Sequence, residues 1–184
     1  MPISAFSKEL REALSREQIP GDLVSEADLE RRFVVPVACE LVARHADVLV
    51  YTHPFGGTSR CQPHCVHESP ATGRVFGCPR CWTTSKAWAS RAAFGTHHSF
   101  DLVARDNSHT LALEAKLSRA SGGRMPNGEI QRFLGQCALA AVSHSEVIGF
   151  FAHRGELNQK WHRDTKAATD WFDAHNVRLV FRAI

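Results

Sequence analysis

Two short runs, SFDLVAR (99–105) and TLALEAKL (110–117), carry the side chains best suited to chemistry. Both read as strands, and the polar turn DNSH between them makes a β-hairpin signal. If Arg105 and Thr110 close that turn, antiparallel pairing sets Asp101 directly opposite Glu114, with Cβ atoms about 4.5 to 5.5 Å apart. Side chains alternate along a strand, so Leu111, Leu113, Ala115 and Leu117 share one face while Glu114 and Lys116 share the other. Asp101, Glu114 and Lys116 therefore converge. Two carboxylates facing each other across a ladder repel unless a cation sits between them. Mg²⁺ (or Mn²⁺) suits that place, because it binds through one or two carboxylates and keeps waters that a phosphate can displace. The Lys116 ammonium beside it can orient an attacking water while the ion stabilises charge growing on phosphate oxygens. In outline this is a site for phosphodiester hydrolysis. An ordinary cross-strand salt bridge would use the same three residues, but LALEAKL is too apolar on its other face for an outer flap.

A second cluster lies in CQPHCVHESPATGRVFGCPRCW, where Cys61-x3-Cys65 and Cys78-x2-Cys81 form two knuckle-like pairs. That spacing is close to structural Zn²⁺ sites with four thiolates. Four thiolates close the tetrahedron, leave no position for water, and supply folding energy to a segment too short for a core of its own. A [4Fe-4S] cluster is the competing occupant, and His64 or His67 can replace Cys65 as a ligand. The segment carries Arg60, Arg74 and Arg80, with Lys86, Trp82 and Trp88 nearby, a set compatible with nucleic-acid contact as well as with plain architectural support. Cys39 and Cys137 stand alone and are expected to fill core space.

The elements that must position these residues follow from periodicity. Residues 4–18 place Phe6, Leu10, Ala13 and Leu14 at helical spacing before the breaker pair Pro20-Gly21, giving an accessory N-terminal helix. Ser25 and Asp28 start a longer helix, SEADLERRFVVPVACELVARH, whose apolar stripe runs through Leu29, Phe33, Val37 and Leu41. Glu30 falls within that stripe, where a carboxylate needs a partner or a metal. Pro36 is the alternative explanation, since a kink would shift the register. Glu26 lies one turn before Glu30, and Glu40 is a further acid near that face. DVLVYT (47–52) reads as a strand, and TTSKAWASRAAF (83–94) as a modest helix stopped by Gly95. After the hairpin come a Gly-rich basic loop, a helix in EIQRFLGQCALAAVSH capped by Asn127, a strand EVIGFFAH, a helix RDTKAATDWFDAH and a strand VRLVFRAI. The chain is expected to be one α/β domain over 1–184, its mixed sheet flanked by helices, with residues 60–82 as an insertion.

Together these residues resemble the PD-(D/E)XK nuclease superfamily, the restriction-endonuclease-like phosphodiesterases. The matching residues are Asp101, the Glu114-Ala115-Lys116 triplet, and Gln131 with Gln136 on the following helix, over about residues 98–153. The resemblance extends more loosely to SEADLERRFVVP, with Glu30 at the acid position of the family's first core helix. It implies an α-β-β-β-α-β core, Asp101 and Glu114 as metal ligands, a carbonyl ligand from Ala115, Lys116 as the water-positioning residue, Gln131 assisting substrate or water, and Glu30 supporting the metal. Phe100 stands where the family usually writes proline, and Gly135 where some members have tyrosine. In relatives with an iron-sulphur cluster the cysteines come from both sides of the core, whereas here all four are local, which favours zinc.

Charge and composition limit the partners. A formal charge of +3 and pI near 8.6 permit a nucleic acid without arguing for one. No run of eighteen apolar residues exists, and the N-terminal MPISAFSKELREALSREQ lacks the apolar stretch of a signal peptide. A cytoplasmic protein without membrane contact is expected, in which six cysteines are metal ligands or core residues and not disulfides. DNA, in preference to RNA, is the expected partner of a nuclease; Arg119 and Arg124 suit either a phosphate contact or a plain basic loop, and His97 and His98, although near enough in sequence to touch phosphate, read first as solvated side chains at a strand entrance. Cutting both strands of a duplex would need a homodimer or two successive events. The alternatives are a non-catalytic zinc-knuckle protein that binds nucleic acid or protein, and a nuclease-like domain that is inactive or lacks a subunit.

Overall fold

In the computed structural model the described residues are 5–42, 44, 45, 48–52, 90–93, 96–106, 108–118, 127–154 and 159–184. The four clustered cysteines, and the arginines, lysine and tryptophans around them, lie outside these, as do Arg119 and Arg124. Helix α1 (Ala5–Arg16) buries Phe6, Leu10 and Leu14. After Ile19 and Leu23 turn into the core, Ser25 caps α2 (Glu26–Leu29). Its hydroxyl accepts from the Asp28 N–H at 3.1 Å, while the Asp28 carboxylate accepts from Val24 N–H at 3.1 Å. This reciprocal pair satisfies donors that a helix start leaves open.

The helix then loosens into a π-helical turn, Glu30–Val34, before α3 (Val35–Val42) resumes regular winding. Pro36 supplies the reason. It has no N–H for the carbonyl of Arg32, and its ring crowds that carbonyl. A wider turn just ahead of it, closed by Val35 N–H to the Glu30 carbonyl, absorbs both effects. The proline thus acts on winding, and Glu30 remains buried with Leu29, Phe33 and Val34.

Seven strands follow in the order β1 (Leu49–Thr52), β2 (Ser90–Ala93), β3 (Thr96–Ser99), β4 (Leu102–Arg105), β5 (Thr110–Leu117), β6 (Glu146–His153) and β7 (Val177–Ala183), among the described residues. Helix α4 (Asn127–Ala141) connects β5 to β6, and α5 (Gln159–Ala174) connects β6 to β7. The main sheet has the order β1-β4-β5-β6-β7, with β1, β4 and β5 antiparallel and β5, β6 and β7 parallel. Parallel neighbours need a crossover long enough for a helix, and α4 and α5 fill that role. The protein is α/β, with a mixed sheet flanked by helices.

Two apolar layers sandwich the sheet. On one face α1, the π-helical turn and α3 pack Leu10, Leu14, Phe33, Val34 and Leu41 against Leu111, Leu113, Ala115 and Leu117 of β5 and Ile148 and Phe150 of β6. On the other, Phe133, Cys137 and Ala140 of α4 and Phe172 of α5 meet Val103, Ala112, Val147 and Phe151. Strand β6 is buried along its whole length, as a central parallel strand must be. The N-terminal helix is part of this core and not an accessory to it. Arg182 of β7 donates to the Leu14 carbonyl at 2.9 Å and the Glu17 carbonyl at 3.1 Å, tying down the end of α1. Cys137 is buried as expected; the side chain of Cys39 lies outside the described ones.

One expected element is overturned. The described part of the segment read as a helix, Ser90–Ala93, is strand β2, paired antiparallel with β3 from Ala93↔Thr96 to Ser90↔Ser99. Alanine and lysine suggest a helix by propensity, and a glycine past its end looks like a C-terminal stop. Cross-strand pairing with Thr96–Ser99 outweighs propensity here.

Candidate active site

The hairpin register is the one that the four-residue turn demands. Arg105 pairs with Thr110 and Leu102 with Leu113, so the next position back, Asp101, falls opposite Glu114. The turn is held by the Asp106 carboxylate, which accepts from Ser108 N–H at 2.8 Å and His109 N–H at 2.7 Å. This Asx arrangement substitutes for a backbone turn. The leucines and Ala115 of β5 enter the α1/α3 layer, leaving Glu114 and Lys116 on the other face.

Asp101 is oriented by the Ala115 N–H, which donates to its Oδ2 at 2.6 Å. Ala115 thus joins the site through its amide. From the far side, α2 and the π-helical turn bring two more acids. Glu30 shares a side-chain hydrogen bond with Asp101, so the two carboxyls hold a proton between them. Glu26 forms an ion pair with Lys116 through its Oε1. Four carboxylates and one ammonium thus meet where β4 begins and α2 abuts β5.

Their electrostatics are those of acids held together without enough positive charge. Burial, then the charges of Asp101, Glu26 and Glu30, push Glu114 up to about 9. Burial, then Asp101 and Glu26, push Glu30 to about 8. Burial lifts Asp101 to about 7 against the Ala115 hydrogen bond, with Glu26 adding to the rise. Glu114 Oε2 is buried and has no hydrogen-bond partner, although such atoms are normally satisfied. That orphaned oxygen, opposite Asp101, fits a hard divalent cation. Among the described residues no group of three or more His, Cys, Asp or Glu is arranged to hold a metal ion. A two-carboxylate site completed by water, as Mg²⁺ uses, requires no such group.

The protonation states predict how stability responds to pH. The folded chain keeps protons on Glu30, Asp101 and Glu114 at pH values where the unfolded chain, with carboxyls near their ordinary 3.8 to 4.5, has lost them. Folding must then take up protons, so the stability contributed by these groups falls as pH rises from about 4 towards 9, by roughly 1.4 kcal/mol per pH unit for each proton. Thermal unfolding in chelator is expected to show a lower midpoint at pH 8 than at pH 5. Added Mn²⁺ is expected to recover more at pH 8, because binding displaces those protons. A midpoint that rises across this range would contradict the crowding of acids.

Compared with protein-family models, curated proteins and solved structures, the chain matches none of them. The site therefore stands on its own geometry. Asp101, Glu114, Glu30 and Lys116 come together, while Gln131 does not join them. It is exposed on α4, about 160° round the helix from the buried Phe133. Glu40 is exposed as well. His97 and His98 lie on β3, and their side chains are outside the described ones. The residue that sequence reasoning left without a role is Glu26. Its i, i+4 spacing from Glu30, on a helix already suspected of presenting an acid, was the available signal. Among the described residues no helix is long and apolar enough to cross a membrane.

Proposed function

We propose that this chain is a divalent-metal-dependent nuclease that hydrolyses phosphodiester bonds in DNA, on a restriction-endonuclease-like fold. The observation carrying this reading is the buried, unpartnered Glu114 Oε2 within the field of the Asp101 carboxylate, with Lys116 two residues on. A purely structural hairpin would not keep an unsatisfied carboxylate there, at a cost of about 1–3 kcal/mol. The fold reading draws support from the succession of helix, strand, antiparallel hairpin, helix and parallel strand, which has the α-β-β-β-α-β order.

In this reading Asp101 and Glu114 hold Mg²⁺ or Mn²⁺, which when bound supplies Lewis-acid stabilisation of charge on the phosphate. Ala115 N–H holds Asp101 in place by committing its Oδ2 to the backbone. The proton shared by Glu30 and Asp101 limits the negative charge of the cluster before a cation arrives. Lys116 donates a hydrogen bond to the attacking water, and its charge favours the hydroxide form. Gln131, exposed on α4, is left as a contact to substrate beyond the reacting atoms. In this reading the cysteines at 61, 65, 78 and 81 hold a structural Zn²⁺.

The test is cleavage of single-stranded, double-stranded and branched DNA, and of RNA, with Mg²⁺ or Mn²⁺ and with chelator. Metal-dependent cutting of DNA is the expected result, with one zinc per chain by elemental analysis. No cut on any substrate would sink the enzymatic reading and leave a non-catalytic nucleic-acid- or protein-binding domain.

A further inference from the structure

The ammonium of Lys116 is surrounded by acids, yet the carboxylate it pairs with lies on another element. Its ion pair is with Glu26 of α2, while Glu114, two residues away on the same strand face, keeps an oxygen without a partner. The Lys116 side chain is 13 % exposed and that of Glu26 37 %, so Glu26 is the more exposed partner and holds the largely buried ammonium in an ion pair of its own. Both Asp101 and Glu114 feel the Lys116 charge. They are the nearest alternatives if Glu26 is removed. A lysine that swung to Glu114 would occupy the place of a divalent cation with a charge of its own.

We infer that Glu26 is a positioning residue: by engaging Lys116 in an ion pair it keeps the lysine from neutralising Asp101 and Glu114, and so preserves their affinity for a divalent cation. This rests on the metal-site reading above. It assigns Glu26 a task exerted through Lys116, not as a ligand and not through its own charge alone. The distinction is measurable, because an effect that runs through Lys116 must vanish when Lys116 is gone.

The experiment is a double-mutant cycle on Mn²⁺ binding, read by electron paramagnetic resonance of the free ion, with Glu26→Gln, Lys116→Met and the double variant. Glu26→Gln alone is expected to weaken Mn²⁺ binding by about tenfold, and by no more than about twofold in the Lys116→Met background. Equal weakening in both backgrounds overturns the inference while leaving the metal site intact. A wild-type chain that binds no Mn²⁺ overturns the metal-site reading and this inference with it. Thermal unfolding in chelator verifies that each variant is folded. If Glu26→Gln is not, Glu26→Asp, one methylene shorter, takes its place with the same two expectations.

Discussion

Glu114→Gln is expected to stabilise the metal-free protein while abolishing metal-dependent cleavage. At pH 7 the unfolded chain carries Glu114 ionised, whereas the folded chain holds it protonated, with a pKa raised from 4.5 to about 9. Taking up that proton costs folding about 3 kcal/mol at this pH, a cost that the neutral amide avoids. Gln keeps the shape and loses the charge that a cation needs, so cleavage should fall by about a thousandfold or more. Urea unfolding at pH 7 in chelator, beside the cleavage assay, reads both effects. Lys116→Ala should lose cleavage to a similar degree with the opposite effect on stability, since it leaves Glu26 without the cation it pairs with. A Glu114→Gln protein less stable than wild type would mean that this carboxylate has a partner.

Gly149→Ala is the substitution expected to damage the scaffold most. Gly149 of β6 is the register partner of Glu114, and α4 comes down on it closely. A Cβ built there would meet Cys137 Sγ at 2.7 Å, Leu179 Cδ2 at 2.8 Å and Phe133 Cζ at 2.9 Å. All three are inside normal contact, and both Phe133 and Cys137 are fully buried, so relief requires moving α4. Overpacking of this kind costs about 1–3 kcal/mol. Gly135→Ala, on α4 with nothing within 4 Å, is the matched control. It should stabilise by about 0.5–1 kcal/mol, as alanine does in a helix interior. Denaturant midpoints that move together in the two variants would show that close packing at Gly149 is not limiting.

The hairpin was legible because two constraints coincide in it. Side-chain alternation forces Glu114 and Lys116 to one face, and the length of DNSH leaves one register, so Asp101 had to oppose Glu114. The long strand EVIGFFAH was equally plain, since only a central strand tolerates an almost unbroken apolar run. Glu30 was legible as an anomaly, but its partner was not: Asp101 is distant in sequence, and a helical wheel has no sheet in it. Lys116 choosing Glu26 over Glu114 depends on how α2 abuts β5, which local pattern does not encode. Ser90–Ala93 misled because its residues favour a helix in isolation, and only pairing with Thr96–Ser99 reverses that preference.

The clasp of Arg182 on α1 bears on the order in which the molecule assembles. Arg182 and Leu14 are 168 residues apart along the chain, and α1 packs against β6 and β7 as well as α3. Bringing such distant segments together costs loop-closure entropy before any contact repays it. The β4–β5 hairpin, closed over a few residues, can form early, whereas α1 gains its anchor only once β7 has joined the sheet. In refolding, protection of the amides of α1 should therefore mark completion of the domain and not its nucleation.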